Sequence, residues 1–525
     1  MRFLFQAAIL LIAASSCRAQ EQAPAPSPTE LRQRAHSAEN QQQYGPAADA
    51  FLALVRAEPD RADWTVAAGR CLVRARRFRD AVETLDAARR RFPSATDVRA
   101  MLAFAMLAQA ENDRAVLHPE VLFADAADLA EQVVAERPDD EESRLVLAQA
   151  RWQLGEADAA VQQAEEVVRR HPHRPGGHVL LGRIAGDRLR ALLAEYEAQQ
   201  PTGQAAADFV ARIDAERRRA RAAYGRAAEL DPLRAHPHVA LAQLAWADKD
   251  IPTMRRHAAD ALAIDPDAAL DHDLLARGMP WQERADFYGE LQKRYAATTL
   301  PRPAKAATLR FHEGRARFEG RDWAAARACF EATLSGNPDA RHAHYYAFLA
   351  AYETNDHDAA ERHAHAYAAA SAPGFADVVR ALVGDRRGEV GAIVRFLADR
   401  AFAAGRREAS RDLNHVIACL ADSADAWNNH AFLCRETGRF DDALSSYQHA
   451  LEKEPDSPQL LNDCGVILQY HLPSPEHRQK ARGLYERALR LADQQLASGG
   501  LAEVVRERVQ KARADAKANL AALDK

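Results

Sequence analysis

Small and apolar positions recur along this chain at a fixed period, and prolines mark where each period closes. Pro59, Pro93, Pro138, Pro172, Pro232, Pro266, Pro338 and Pro455 punctuate it, and three of the seven gaps between them are 34 residues long. Counting back from each proline, a small residue stands at minus 24 (Ala35, Gly69, Ala148, Ala242, Gly314, Ala431) and another at minus 12 (Ala47, Ala81, Ala126, Ala160, Ala220, Ala326, Ala443). Minus 8 is mostly large and apolar, as in Phe51, Leu85, Tyr224, Phe330 and Tyr447. Two helices approach closely only where side chains are small, and proline ends a helix because it lacks an N–H and crowds the preceding turn. The pattern predicts repeated helix hairpins.

The regular hairpins are predicted over 28–59, 62–93, 141–172, 235–266, 307–338 and 424–455, with lengthened versions over 96–138, 175–232 and 458–491. Residues 28–266 read as an N-terminal array with inserts, 267–306 as an irregular helical hinge, and 307–373 as further hairpins. Residues 374–422 read as degenerate hairpins without proline punctuation, 424–491 as a C-terminal pair, and 499–525 as a capping helix. In that last segment Val504, Val505, Val509, Ala512 and Ala516 share one helical face, which the final hairpin needs as cover.

Residues 424–455 resemble the tetratricopeptide repeat family through Trp427, Ala431, Gly438, Phe440, Ala443, Tyr447, Ala450 and Pro455. Residues 62–93 do so through Gly69, Phe78, Ala81, Leu85, Ala88 and Pro93. The resemblance implies an all-α chain, an α-solenoid of about ten tetratricopeptide-like hairpins forming a right-handed superhelix. It also implies that extended peptides lie along the concave side, which first helices line. A composition of 48% apolar but only 7% aromatic residues suits closely packed helices, and a net charge of −5 points to no nucleic acid partner.

The N-terminus carries a separate signal. Met1-Arg2 and a following run of about a dozen apolar residues are too short for a permanent span and read as a signal peptide over 1–19. Ala14-Ser15-Ser16-Cys17 resembles the lipobox of bacterial lipoproteins, which makes Cys17 the lipidation candidate; cleavage after Ala19 is the alternative. Residues 20–27 form a Pro/Ala-rich linker. The expected location is the cell envelope, as a periplasmic or outer-membrane-associated lipoprotein, with membrane contact only through that anchor.

Reaction chemistry is scarce. There is no Gly-x-Ser-x-Gly elbow, phosphate-binding glycine loop, His-Glu-x-x-His helix or Cys-x-x-Cys pair, so no catalytic residue, cofactor or metal site is assigned. His342, His344, His357, His363 and His365 crowd around Glu361, and a solvated polar face is the expected reading there. Cys71, Cys434 and Cys464 sit among small and apolar neighbours as small buried hydrophobes, with a Cys434–Cys464 bond as an open alternative.

Counting by the same register places Arg70, Arg74, Trp152, Arg183, Gln243, Trp246, Arg315, Phe318 and Phe432 on the ligand side of first helices. Guanidinium and aromatic groups suit a peptide with carboxylates and apolar anchors. Asn428, Asn429 and Asn462 resemble the amide ladder with which some members of the family hold a peptide backbone. The expected function is a non-enzymatic interaction scaffold that binds extended segments of envelope or secretion proteins. A glycan- or polymer-binding export subunit and an enzyme built into the inserts are the alternatives.

Overall fold

The computed structural model describes residues 26–298, 301–369 and 375–524, so the signal segment, most of the linker and Cys17 lie outside the described residues. The described residues are helical, with no strand among them. The chain divides into two compact units between Ala258 and Ala259. The first holds the hairpins α1 (Pro28–Asn40) with α2 (Tyr44–Ala57), α3 (Ala62–Arg74) with α4 (Phe78–Arg91), and α5 (Thr96–Asn112) with α6 (Pro119–Glu136). Then come α7 (Glu141–Gln153) with α8 (Ala157–Arg170), and α9 (Gly176–Gln199) with α10 (Gly203–Leu230). Last is α11 (Ala235–Ala247) with α12 (Ile251–Ile264), whose final turns pass the division. The second unit begins with the short α13 (His272–Ala276) and α14 (Trp281–Ala296). It continues with α15 (Pro303–Glu319) and α16 (Trp323–Gly336), then α17 (Arg341–Glu353) and α18 (His357–Ala369).

The regular hairpins turn the same way. Seventeen residues before the closing proline, Gln42, Arg76, Gly155, Lys249, Arg321 and Gly438 adopt positive φ, from 59° to 81°. Asn355 does so in the α17–α18 turn, and Gly405 marks a later one. The next amide reaches back five residues, as in Arg77 N to Leu72 O at 2.9 Å and Arg439 N to Cys434 O at 2.8 Å. This is the left-handed helix ending that satisfies the last carbonyls. Glycine takes it freely; arginine, lysine and glutamine take it at a cost of about 1 kcal/mol, which is why only two of the six announce the turn in the sequence.

The small and large positions meet across the hairpin as pairs. A Cβ built on Gly69 lies 2.6 Å from a Leu85 methyl, one on Gly182 2.9 Å from the Tyr224 ring, and one on Gly314 2.7 Å from the Phe330 ring. Leu85 and Phe330 are wholly buried. The missing side chain on the first helix is therefore filled by the large one on the second, and close packing fixes the distance between helices.

The first unit departs from the regular pattern in the longer helices of α5–α6 and α9–α10, and the second departs from it in other ways. Residues 374–422, read from sequence as degenerate hairpins, hold one hairpin, α20 (Arg387–Ala403) with α21 (Arg407–Ala421), preceded by the single short α19 (Phe375–Val383). Helix α19 buries Phe375, Val379 and Val383. After α22 (Ala424–Glu436) and α23 (Phe440–Lys453), the excess residues near Pro473 are absorbed by a π-helical turn, Ile467–His471, between α24 (Pro458–Val466) and α25 (Pro475–Ser498). The last helix, α26 (Glu503–Leu523), buries Val509, Ala512 and Ala516. Val504 and Val505 stay 69% and 43% exposed, because they sit in its first turn, where little stands opposite.

Candidate ligand face

In the first unit, two of the three guanidinium groups expected to meet carboxylates of a ligand, Arg70 and Arg183, already hold acids of this chain. Arg70 on α3 donates through Nε and Nη2 to Glu39 Oε1 of α1, at 3.1 and 3.0 Å. Glu111 on α5 accepts from Gln149 (3.0 Å) and Gln153 (3.3 Å) of α7 and from Arg183 (2.7 Å) of α9, joining three successive first helices. Arg74 stacks over the Tyr44 ring at 5.2 Å. Trp152 donates its indole N–H to Asp187 at 2.9 Å. Gln243 is exposed and Trp246 half-buried on α11.

The second unit repeats the arrangement once and departs from it twice. Arg315 on α15 donates to Asp273 at 2.9 Å. Phe318, expected on the ligand side, is a core residue: it is 7% exposed and meets Trp323 and Tyr346 edge-on at 5.0 and 5.2 Å. Its place in the last turn of α15 aims it at the following turn and at α17. Asn462, expected in an amide ladder, is 5% exposed, and its Oδ1 accepts from Asn519 of α26 at 3.0 Å. The terminal helix thus occupies the position a ligand amide would take there. Burial also raises the carboxyl pKa of neighbouring Asp463 above the ordinary range. Asn428 is half-buried and Asn429 exposed on α22; Phe432 is 40% exposed, with the Arg435 guanidinium 5.2 Å from its ring.

The histidine-rich stretch is only partly the expected solvated face: His342 is exposed, and the other four do not gather at one point. His344 faces His363, His365 bonds Asp412 at 3.0 Å, and His357 packs against Phe396 at 5.1 Å. Buried Glu361 is gripped by both ends of Arg406, at 2.5 and 2.7 Å. Each group finds a different partner because neighbouring helices face it from different sides. All five described cysteines are free thiols, and burial pushes those of Cys419, Cys434 and Cys464 up to about 12.

The sequence reading missed the acids Glu39, Glu111, Asp187 and Asp273. For Glu39, Glu111 and Asp273 the signal available was their place one helix hairpin, or two, from the cation they neutralise, and for Asp187 its place one hairpin from the Trp152 indole. On the resulting face Arg70, Arg183 and Arg315 are neutralised by acids of the chain, while Arg74 stays exposed over the Tyr44 ring. Among the described residues no helix is long and apolar enough to cross a membrane.

No curated protein matches the sequence. Among solved structures, MamA 41-end from Desulfovibrio magneticus RS-1 aligns at 15% identity over 37% of this chain and 98% of its own, with a TM-score of 0.27. The human IFIT1 dimer with m7Gppp-AAAA aligns at 12% identity over 66% and 73%, with a TM-score of 0.37. The APC/C hetero-tetramer Cut9-Hcn1 aligns at 12% identity over 93% and 96%, with a TM-score of 0.30. Scores this low say nothing about function. Family models described as tetratricopeptide repeat match residues 32–96, 66–117 and 311–374, residues 122–184, and residues 424–457. Both units of this chain therefore carry tetratricopeptide repeats.

Proposed function

We propose that the chain is a non-enzymatic scaffold that holds extended segments of partner proteins against its first helices. Tetratricopeptide repeats generally bind protein partners, and the observation that carries the finer reading is the composition of the face on α22. There Asn429 is exposed, and Phe432 lies open beneath Arg435 with no core role. An amide can donate to and accept from a peptide backbone, while an open ring supplies apolar area at small entropic cost. Because Arg70, Arg183 and Arg315 are held by acids of the chain, the favoured ligand is a peptide of low charge with apolar anchors, not an acidic one. A glycan reading draws no support from Phe318, which is buried, or from Trp152, whose N–H is engaged.

The test is peptide display on the purified chain. Selected peptides are expected to lose at least tenfold in affinity with Asn429→Ala plus Phe432→Ala, and to be indifferent to Gln448→Ala on the second helix α23. Peptides that bind the double variant normally would sink the reading. The envelope role rests on residues 1–27 alone, as a signal segment, a lipidated Cys17 and a linker. Metabolic labelling with a lipid probe is expected to mark the chain and to fail with Cys17→Ala; an unlabelled parent chain would refute the anchor.

A further inference from the structure

Two hairpins, one in each unit, carry the same pair of histidines at the same places. His238 on α11 and His344 on α17 each stand eleven residues before the left-handed turn residue, Lys249 or Asn355. His257 on α12 and His363 on α18 each stand eight after it. Within each hairpin the two Nδ1 atoms face one another, 3.4 Å apart for His238 and His257 and 3.0 Å for His344 and His363. The rings are tilted alike, by 40° and 45°, at centroid separations of 5.7 and 5.3 Å.

That separation has a chemical meaning. Two nitrogens bound tetrahedrally to one ion at about 2.0–2.1 Å stand about 3.3–3.4 Å apart. Each pair already spans the edge that such an ion imposes, and the two helices hold it there. Glu331 Oε1 lies 3.5 Å from Nε2 of His363, so the carboxylate keeps the proton on Nε2 and leaves the Nδ1 lone pair aimed at His344. A carboxylate behind the imidazole is the usual support of a metal-bound histidine. On α12, Asp260 follows His257 by one helical turn and brings a carboxylate oxygen within 4.8 Å of its imidazole; on α18 the corresponding residue is Ala366.

We propose that each imidazole pair chelates one divalent late transition-metal ion of the zinc class, pinning the first helix of its hairpin to the second. Water completes the coordination, and the His238–His257 pair, with Asp260 on the next turn sharing its carboxylate with Arg294 at 2.8 Å, is the tighter site because the other pair has no acid at that place. Arg327, which holds Glu331 and Asp356 beside His363, disfavours a cation and weakens the other.

Titrating the metal-free full chain with zinc chloride, by calorimetry and by thermal melting, tests this. Two ions per chain and a rise in melting temperature are expected. His257→Gln and His238→Gln, on opposite helices, should each abolish the tighter site, and His363→Gln the weaker one. His257→Gln with His363→Gln should remove both while leaving the metal-free melt near that of the parent. Glu331→Gln should weaken the second site about 10–100-fold. No saturable binding, or binding that survives in the double variant, would overturn the proposal; a single ion lost with His257→Gln would overturn the second site.

Discussion

Lowering the pH from 7 to 5 is expected to destabilise the second unit by about 4 kcal/mol through two buried imidazoles alone. His430 on α22 is 7% exposed and its bonds fix its neutral form. Ser446 spends its hydroxyl proton on Asp442 O at 2.8 Å, so its oxygen accepts from His430 Nδ1–H at 2.9 Å. The thiol of Cys434 then donates to the bare Nε2 at 3.3 Å. A proton on Nε2 would have no acceptor, and the His415 ring is stacked 4.7 Å away. Burial first, and His415 second, depress the pKa of His430 to about 3. His312 on α15 is stacked on His272 at 3.8 Å and pushed down to about 2 by burial, with the neighbouring imidazole adding to it.

A depressed folded pKa stabilises above the unfolded value of 6.5, and that stability is lost as the pH falls below it. Between pH 7 and 5 the unfolded chain takes up the two protons that the folded chain refuses, about 2 kcal/mol each. His365, raised chiefly by its bond to Asp412, acts in the opposite sense, gaining stability in acid; its exposure makes that contribution small. Amide exchange of α22 and α23 in the full chain reads the effect directly. His430→Asn, which keeps a donor for Ser446, should flatten the dependence by about 1.4 kcal/mol per pH unit below pH 6. Protection equal at pH 7 and pH 5, or an unchanged slope in the variant, would contradict the assignment.

The second large effect is steric. Gly314→Leu is expected to destabilise its hairpin by about 3 kcal/mol, because even a Cβ there would lie 2.7 Å from Phe330, whose ring is wholly buried and cannot retreat. Gly314→Ala should cost less, since a better helix former offsets about 1 kcal/mol of the clash. The decisive measurement is a double-mutant cycle. Phe330→Ala alone leaves a cavity costing about 3–5 kcal/mol, yet with Gly314→Leu the new side chain fills part of the space, and the combined loss should fall short of the sum by 2 kcal/mol or more. Additive losses would mean that the two positions do not pack on each other.

The spacing that placed Gly314 opposite Phe330 was legible because each hairpin repeats one local solution. Small residues, large residues and prolines must fall at fixed distances whenever two helices close on each other. The turns were half-legible. Gly155 and Gly438 betray the left-handed residue, whereas Arg76, Lys249 and Arg321 adopt it under the pull of the backbone bonds around them. The candidate face was less legible still. Register alone assigns Phe318 and Asn462 to the ligand side, and both are covered by elements whose approach no local rule encodes.

By itself, then, the sequence determined an all-α chain of helix hairpins and the small and large positions that meet inside the regular ones. These follow from helical periodicity and from side-chain size, which are properties of neighbours in the chain. Only the tertiary structure decided which groups remain open. The acids Glu39, Glu111 and Asp273 claim the cations, Asn519 claims Asn462, and the histidines divide into facing pairs and buried stacks. Those pairings join residues about 15 to 70 positions apart, and the electrostatics and burial that select them exist only once the helices have packed.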